Sequence, residues 1–295
     1  MNSENLSLNR TASRVDFKKR AGQNNHFLIT VLVGLNAVEA GSATKNKEFS
    51  TAWKPKDHVQ SARRSREYAL NTSLAWIIDL VDVYRGQITK VPSVFSDQRA
   101  SAISRLEGQR EKLIAVASDL GINQSDEDLN LVLFGLNWRT AIIHSEVKPR
   151  IRGQHRKNLT EQAEHISLEH SGLDIARAMN SFEAGSSPTF KEVASFIAAA
   201  HSLVGKLDTA LLATIDTEVF ADHHLASYFT SVGNPEVFSQ FWSGNALKTH
   251  SRLMSLLLQL GFSRGQSGSD LPPSYLNDLS RISARDARAR FSPAP

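Results

Sequence analysis

Arg139 and His144, separated by four residues, interrupt an otherwise apolar stretch, DLNLVLFGLNWRTAIIHSEVKPR, that runs from Asp128 to Arg150. A histidine titrates near neutrality and can move protons, whereas a guanidinium keeps its charge and can grip a phosphate through a planar fork. Together they suit phosphodiester chemistry. On an uninterrupted helix, five positions turn the two side chains about 140° apart, so they do not share a face. They converge only across a kink, in a crevice between packed helices, or opposite copies from a second subunit.

The element that must position the pair is a helix. Leu129, Val132, Leu133, Leu136, Thr140 and Ile143 recur at spacings of three and four, which predicts one buried face. Ser125 is a suitable N-cap, Asp126, Glu127 and Asp128 complement the positive helix start, and Pro149 pushes the residue before it out of the α region. The resulting arrangement, Arg139-Thr-Ala-Ile-Ile-His144 on an apolar helix in a helical chain, resembles the R-x4-H motif of the HEPN superfamily over about residues 59–150. One departure is Thr140, which stands where the family often has a small polar residue such as Asn. The resemblance implies an all-α, metal-independent endoribonuclease without a cofactor, in a family that includes toxin and antiviral defence effectors. It further implies a homodimer in which two Arg139/His144 pairs meet across one cleft. His144 would transfer protons as a 2′-hydroxyl attacks the adjacent phosphate, Arg139 would stabilise the growing charge, and Thr140 and Asn137 would orient them.

Directly after the motif, Lys148, Arg150, Arg152, Arg156 and Lys157 crowd around His155. This basic segment would hold an RNA backbone, or else it is an exposed linker kept soluble by its charge. Arg63, Arg64 and Arg66 carry the same two readings, a phosphate-contacting patch or a solvated helix start. Asp79 and Asp82, at i and i+3, are candidate partners for a buried Arg139, though a surface location fits them equally. A second class of function follows from that pairing. In it the chain is a non-catalytic helical interaction or regulatory module with an unidentified protein partner, Arg139 satisfies Asp79 or Asp82, and His144 packs on the core.

The chain of 295 residues can bury a sizeable core in one or two domains, and its net charge of +4 permits a nucleic-acid partner without requiring one. There is no cysteine, which excludes disulfides, thiolate catalysis and sulfur-ligated zinc. Adjacent His223 and His224 point about 100° apart on a helix, and His165 and His170 lack the i, i+4 spacing of a helical two-histidine site, so no metal site is expected. Phe27 to Val38, between Lys18-Lys19-Arg20 and the small residues 40–43, has the order of a secretory signal. The polar residues 23–26 break that pattern, and no uncharged apolar run reaches roughly 18 residues. A cytoplasmic protein away from membranes is expected.

The fold expected is an all-α multi-helix bundle; Phe27–Leu35, rich in β-branched residues and closed by Gly34, fits one short N-terminal strand or a buried helical turn, and the strand is favoured. Residues 1–25 read as a flexible basic arm, 26–152 as the helical domain carrying the motif, and 153–295 as a helical region that is separate or completes the same bundle. Helices are expected from Val59 through the Ile88 region, over 97–120, along the motif, and over 160–183, 188–215, 216–231, 235–260 and 273–290.

Overall fold

The computed structural model describes residues 6–292, apart from 47, 49–52, 54, 92–93, 145, 147, 152, 233, 235 and 266–267. Strand β1 (Leu6–Leu8) precedes α1 (Ala12–Glu39), α2 (His58–Ile88), α3 (Asp97–Arg105), α4 (Gly108–Asp119) and α5 (Glu127–Ile143). Then come α6 (Gly153–Glu161), α7 (Ala163–Glu169), α8 (Ile175–Glu183), α9 (Phe190–Thr214), α10 (Thr217–Val232), α11 (Glu236–Phe241) and α12 (Ala246–Gln259). Strands β2 (Phe262–Arg264) and β3 (Ser269–Asp270) and helices α13 (Pro273–Arg281) and α14 (Ala284–Phe291) complete the described chain. The all-α expectation holds, since 74% of the residues are helical and, among the described residues, the strands form one small sheet.

Two compact units divide the chain. One comprises Asp16–Tyr84 and Gly108–Gly205; the other comprises Met1–Val15, Arg85–Glu107 and Lys206–Pro295. Residues 153–205 fall in the same unit as the motif helix, and 85–107 fall with the C-terminal part.

In the first of these units α5 is the central helix. Every residue from Asp128 to Leu136 is buried, so the helix is enclosed all round and not only along the expected stripe. Its middle is paved with rings: Phe134 stacks on Trp138 at 5.4 Å, and both meet Phe182 of α8 and Phe196 of α9. Gly135 lets α2 approach, because a Cβ there would lie 2.7 Å from Ile78 Cδ1. Phe17, Ala21 and Leu28, spaced four and seven apart, bury one narrow stripe of α1. Asn24 then donates to the Ser73 carbonyl and Arg66 binds Asn36 and Glu39, which tie α1 to α2.

The strand expected at Phe27–Leu35 is therefore helix, and from Leu6 onward the arm expected over 1–25 is strand followed by α1. Four of the apolar residues that suggested a strand, Phe27, Ile29, Val31 and Val33, are exposed. Helix cooperativity along the 28-residue α1, anchored through Phe17, Ala21 and Leu28, outweighs their local preference. Three expected helices are each broken. Gly108, with φ of 83°, separates α3 from α4; Ser171 and Gly172, both at positive φ, precede α8; and Gly244 precedes the Asn245 cap of α12. The C-terminal helix is likewise two, with Ser283 capping α14.

In the other unit the sheet has the order β2-β1-β3, with both pairings antiparallel and Leu8 opposite Phe262 and Ser269. This is where the short N-terminal strand lies. A second aromatic core gathers Phe229, Phe238, Trp242 and Phe291, and the Trp242 indole donates to the Leu279 carbonyl at 3.0 Å. Among the described residues, α9 is the helix long and apolar enough to cross a membrane by composition, and more than half of that apolar stretch is buried within the protein.

Candidate functional site

Asp126, not Ser125, caps α5, accepting from the Leu129 amide at 3.0 Å, with Glu127 and Asp128 in the first turn. The helix ends at Ile143, well before the restriction that Pro149 places on Lys148, and it stops where burial stops, since Ile143 is exposed. His144 is the C-cap, its amide donating to the Thr140 carbonyl at 2.9 Å and its side chain lying exposed. The Thr140 hydroxyl bonds back to the Leu136 carbonyl at 2.8 Å and so serves its own helix.

Arg139 reaches α2. Its Nη2 lies 3.2 Å from Asp79 Oδ1 and 3.5 Å from Oδ2, so one nitrogen holds the carboxylate end-on and the bidentate fork is not used. Its Nε is buried and, among the described residues, has no hydrogen-bond partner. Asp82, by contrast, accepts from Gln109 at 3.4 Å and borders a crevice between α2, α4 and α5. Among the described residues no hydrogen bond or ion pair joins Arg139 to His144. The single chain thus brings Arg139 to Asp79, as the interaction-module reading expects. It leaves His144 off the core, which that reading does not expect.

The expected RNA-binding residues differ in their surroundings. Lys148 and Arg150 are exposed beyond α5, and Arg152 lies outside the described residues. Arg156 pairs with Glu183 at 2.6 Å and Lys157 with Glu161 one helical turn on. Arg63 and Arg64 are exposed, whereas Arg66 is engaged with α1. At the tail, Arg290 grips Asp222 through Nε and Nη2, and Asp222 also accepts from Tyr275.

His155 sits inside the unit and not in a basic patch. Its Nε2 lies 2.9 Å from the Asn130 carbonyl, which only accepts, so Nε2 carries the proton and Nδ1 accepts from Arg110 at 3.3 Å. Burial pushes the imidazole down to about 4; the bond to Asn130 opposes this and the Arg110 charge adds to it. A folded value below the unfolded 6.5 means that the unfolded chain takes the proton first as pH falls. Stability from this group is therefore complete above pH 6.5 and declines toward pH 4. The loss approaches about 3 kcal/mol at ~1.4 kcal/mol per unit. Urea unfolding of wild type and His155→Gln between pH 7 and 4.5 measures it, and an identical slope for both would remove His155 as its source.

Sequence reading missed one cluster altogether. Glu127 and Asp128 at the start of α5 meet His170 at the end of α7, ligand-type atoms lying within 4.8 Å of one another. No spacing signal exists in a set drawn from two segments. No family model, curated protein or solved structure matches the chain.

Proposed function

We propose that the chain is a metal-independent endoribonuclease of the HEPN kind whose site is completed between two copies. The observation that carries this reading is Arg139: a half-buried guanidinium held by one nitrogen, with a buried Nε donor that has no partner among the described residues, five positions before an exposed histidine. A buried donor without a partner calls for an explanation, and a phosphate oxygen arriving from substrate supplies one. The surface beside it supports the dimer. On α2, Tyr68, Trp76 and Val83 are exposed and lie with Asp79 at spacings of three, four and eight, so one apolar stripe runs past the Arg139 partner, and exposed Ile143 adjoins His144. A two-fold contact through that stripe sets each pair opposite its copy.

In the reaction, the 2′-oxygen attacks phosphorus and the bond to the 5′-oxygen breaks. His144 takes the 2′-hydroxyl proton, and a protonated histidine, its own or the copy's, returns one to the leaving oxygen. Arg139 meets the charge on the phosphoryl oxygens. The products end in a 2′,3′-cyclic phosphate and a 5′-hydroxyl. A toxin or antiviral role, with a regulatory partner, would rest on such cleavage.

The Arg139–Asp79 pair favours a second reading, a non-catalytic module that uses the same stripe to hold a protein partner. End-labelled single-stranded RNA incubated with the purified chain in EDTA separates the two. Cyclic-phosphate ends from a dimeric protein are expected, and an intact substrate under a dimeric protein would favour the module.

A further inference from the structure

We propose that Glu127, Asp128 and His170 form a binding site for one zinc-class divalent ion, at the opposite end of α5 from Arg139. His170 is nearly enclosed, its side chain 5% exposed, and among the described residues neither ring nitrogen has a hydrogen-bond partner. A buried imidazole with two unsatisfied nitrogens is costly unless something binds it. Its Nε2 lies 3.4 Å from Asp128 Oδ1, at ion-pair distance but without the geometry of a hydrogen bond. That separation equals the edge of a tetrahedron around an ion with bonds of about 2.05 Å, which is about 3.4 Å.

The remaining atoms are arranged around these donors. Asp128 Oδ2 accepts from Ser202 of α9 at 2.5 Å, which orients the carboxylate with Oδ1 toward His170. Glu127 Oε2 is engaged by His165 Nδ1, and the Glu127 side chain is mostly covered. The three ligand-type groups lie within 4.8 Å, somewhat wider than the roughly 4.2 Å span of two such bonds in line, so a bound ion would draw Glu127 inward. Two carboxylates and a neutral imidazole give a charge of −2 that a divalent cation cancels. One nitrogen with two oxygens suits zinc or a neighbouring first-row ion better than magnesium or calcium, which take all-oxygen sites. The ion would clamp the start of α5 to the end of α7. Along the helix axis, Asp128 and Arg139 are about 16 Å apart, so this role is structural and independent of cleavage.

The test is titration of the metal-stripped full-length chain with Zn²⁺, with Co²⁺ as the spectroscopic probe, in the absence of RNA. One ion per chain, a raised melting temperature and cobalt d–d absorption of a nitrogen/oxygen site are expected. Glu127→Gln should weaken Zn²⁺ at least tenfold, and His170→Gln should abolish the stoichiometric site and its cobalt bands. Failure to bind Zn²⁺, or binding that both variants retain and that therefore belongs to surface histidines, overturns the proposal. Should His170→Gln not fold, Glu127→Gln and its cobalt spectrum decide.

Discussion

Trp138→Ala is expected to destabilise the α5 unit by about 3–5 kcal/mol, the range for removing a fully buried large aromatic side chain. The residue is 2% exposed and its ring lies 5.4 Å from Phe134, 5.6 Å from Phe182 and 6.0 Å from Phe196, so truncation opens a cavity where α5, α8 and α9 pack together. Its indole nitrogen also donates to the Ser186 carbonyl at 3.2 Å, and alanine leaves that acceptor without this donor. Trp138→Phe keeps most of the area and loses the hydrogen bond, so it should cost well under half as much. Urea unfolding followed by circular dichroism measures both. A loss below about 1 kcal/mol for the alanine variant would mean that the ring cluster relaxes around the gap, contrary to a close-packed core.

The helical character of the chain was legible because α2, α9 and α12 carry apolar residues at the helical period, and the proline and glycine positions mark most of the ends. Local cues failed where tertiary context decided. Phe27 to Leu35 has strand-forming residues, yet it continues a helix whose anchors, Phe17 and Ala21, lie outside the window that suggested a strand. The strand that does exist, Leu6–Leu8, is three residues long and is defined by partners more than 250 positions away, a pairing no local pattern encodes. The same limit governs the candidate site. Asp79 was legible only as one of two carboxylates, with Asp82, that the motif arginine could meet, and its side chain is about half exposed. His155 looked like part of a basic patch because charge density says nothing about burial; only the Asn130 and Arg110 contacts reveal it as a core histidine. His170 was weighed only with His165, since Glu127 and Asp128, which it meets, lie more than 40 residues earlier in the chain.

His144→Ala is expected to lower RNA cleavage by roughly 10²–10⁴-fold, the usual contribution of a positioned acid or base, while leaving stability unchanged. The stability half of this expectation follows from geometry. The side chain is exposed and the residue's helix-ending bond runs through its amide to Thr140, which alanine preserves. Arg139→Lys divides the two readings further. Lysine keeps the charge but loses the planar fork, so RNA should bind nearly as well and be cleaved far more slowly. Asp79→Asn supplies the matching control: it weakens the hold on Nη2 without touching Nε, so cleavage should stay within about tenfold of wild type if Arg139 acts on phosphate. If Arg139 is only structural, Asp79→Asn should instead lower stability slightly by weakening the end-on pair, and neither it nor Arg139→Lys should change any RNA readout. Wild-type cleavage rates in both His144→Ala and Arg139→Lys, compared at equal folded fraction, would leave the pair with no catalytic role. The exposed stripe of Tyr68, Trp76 and Val83 would then stand as a protein-binding face alone.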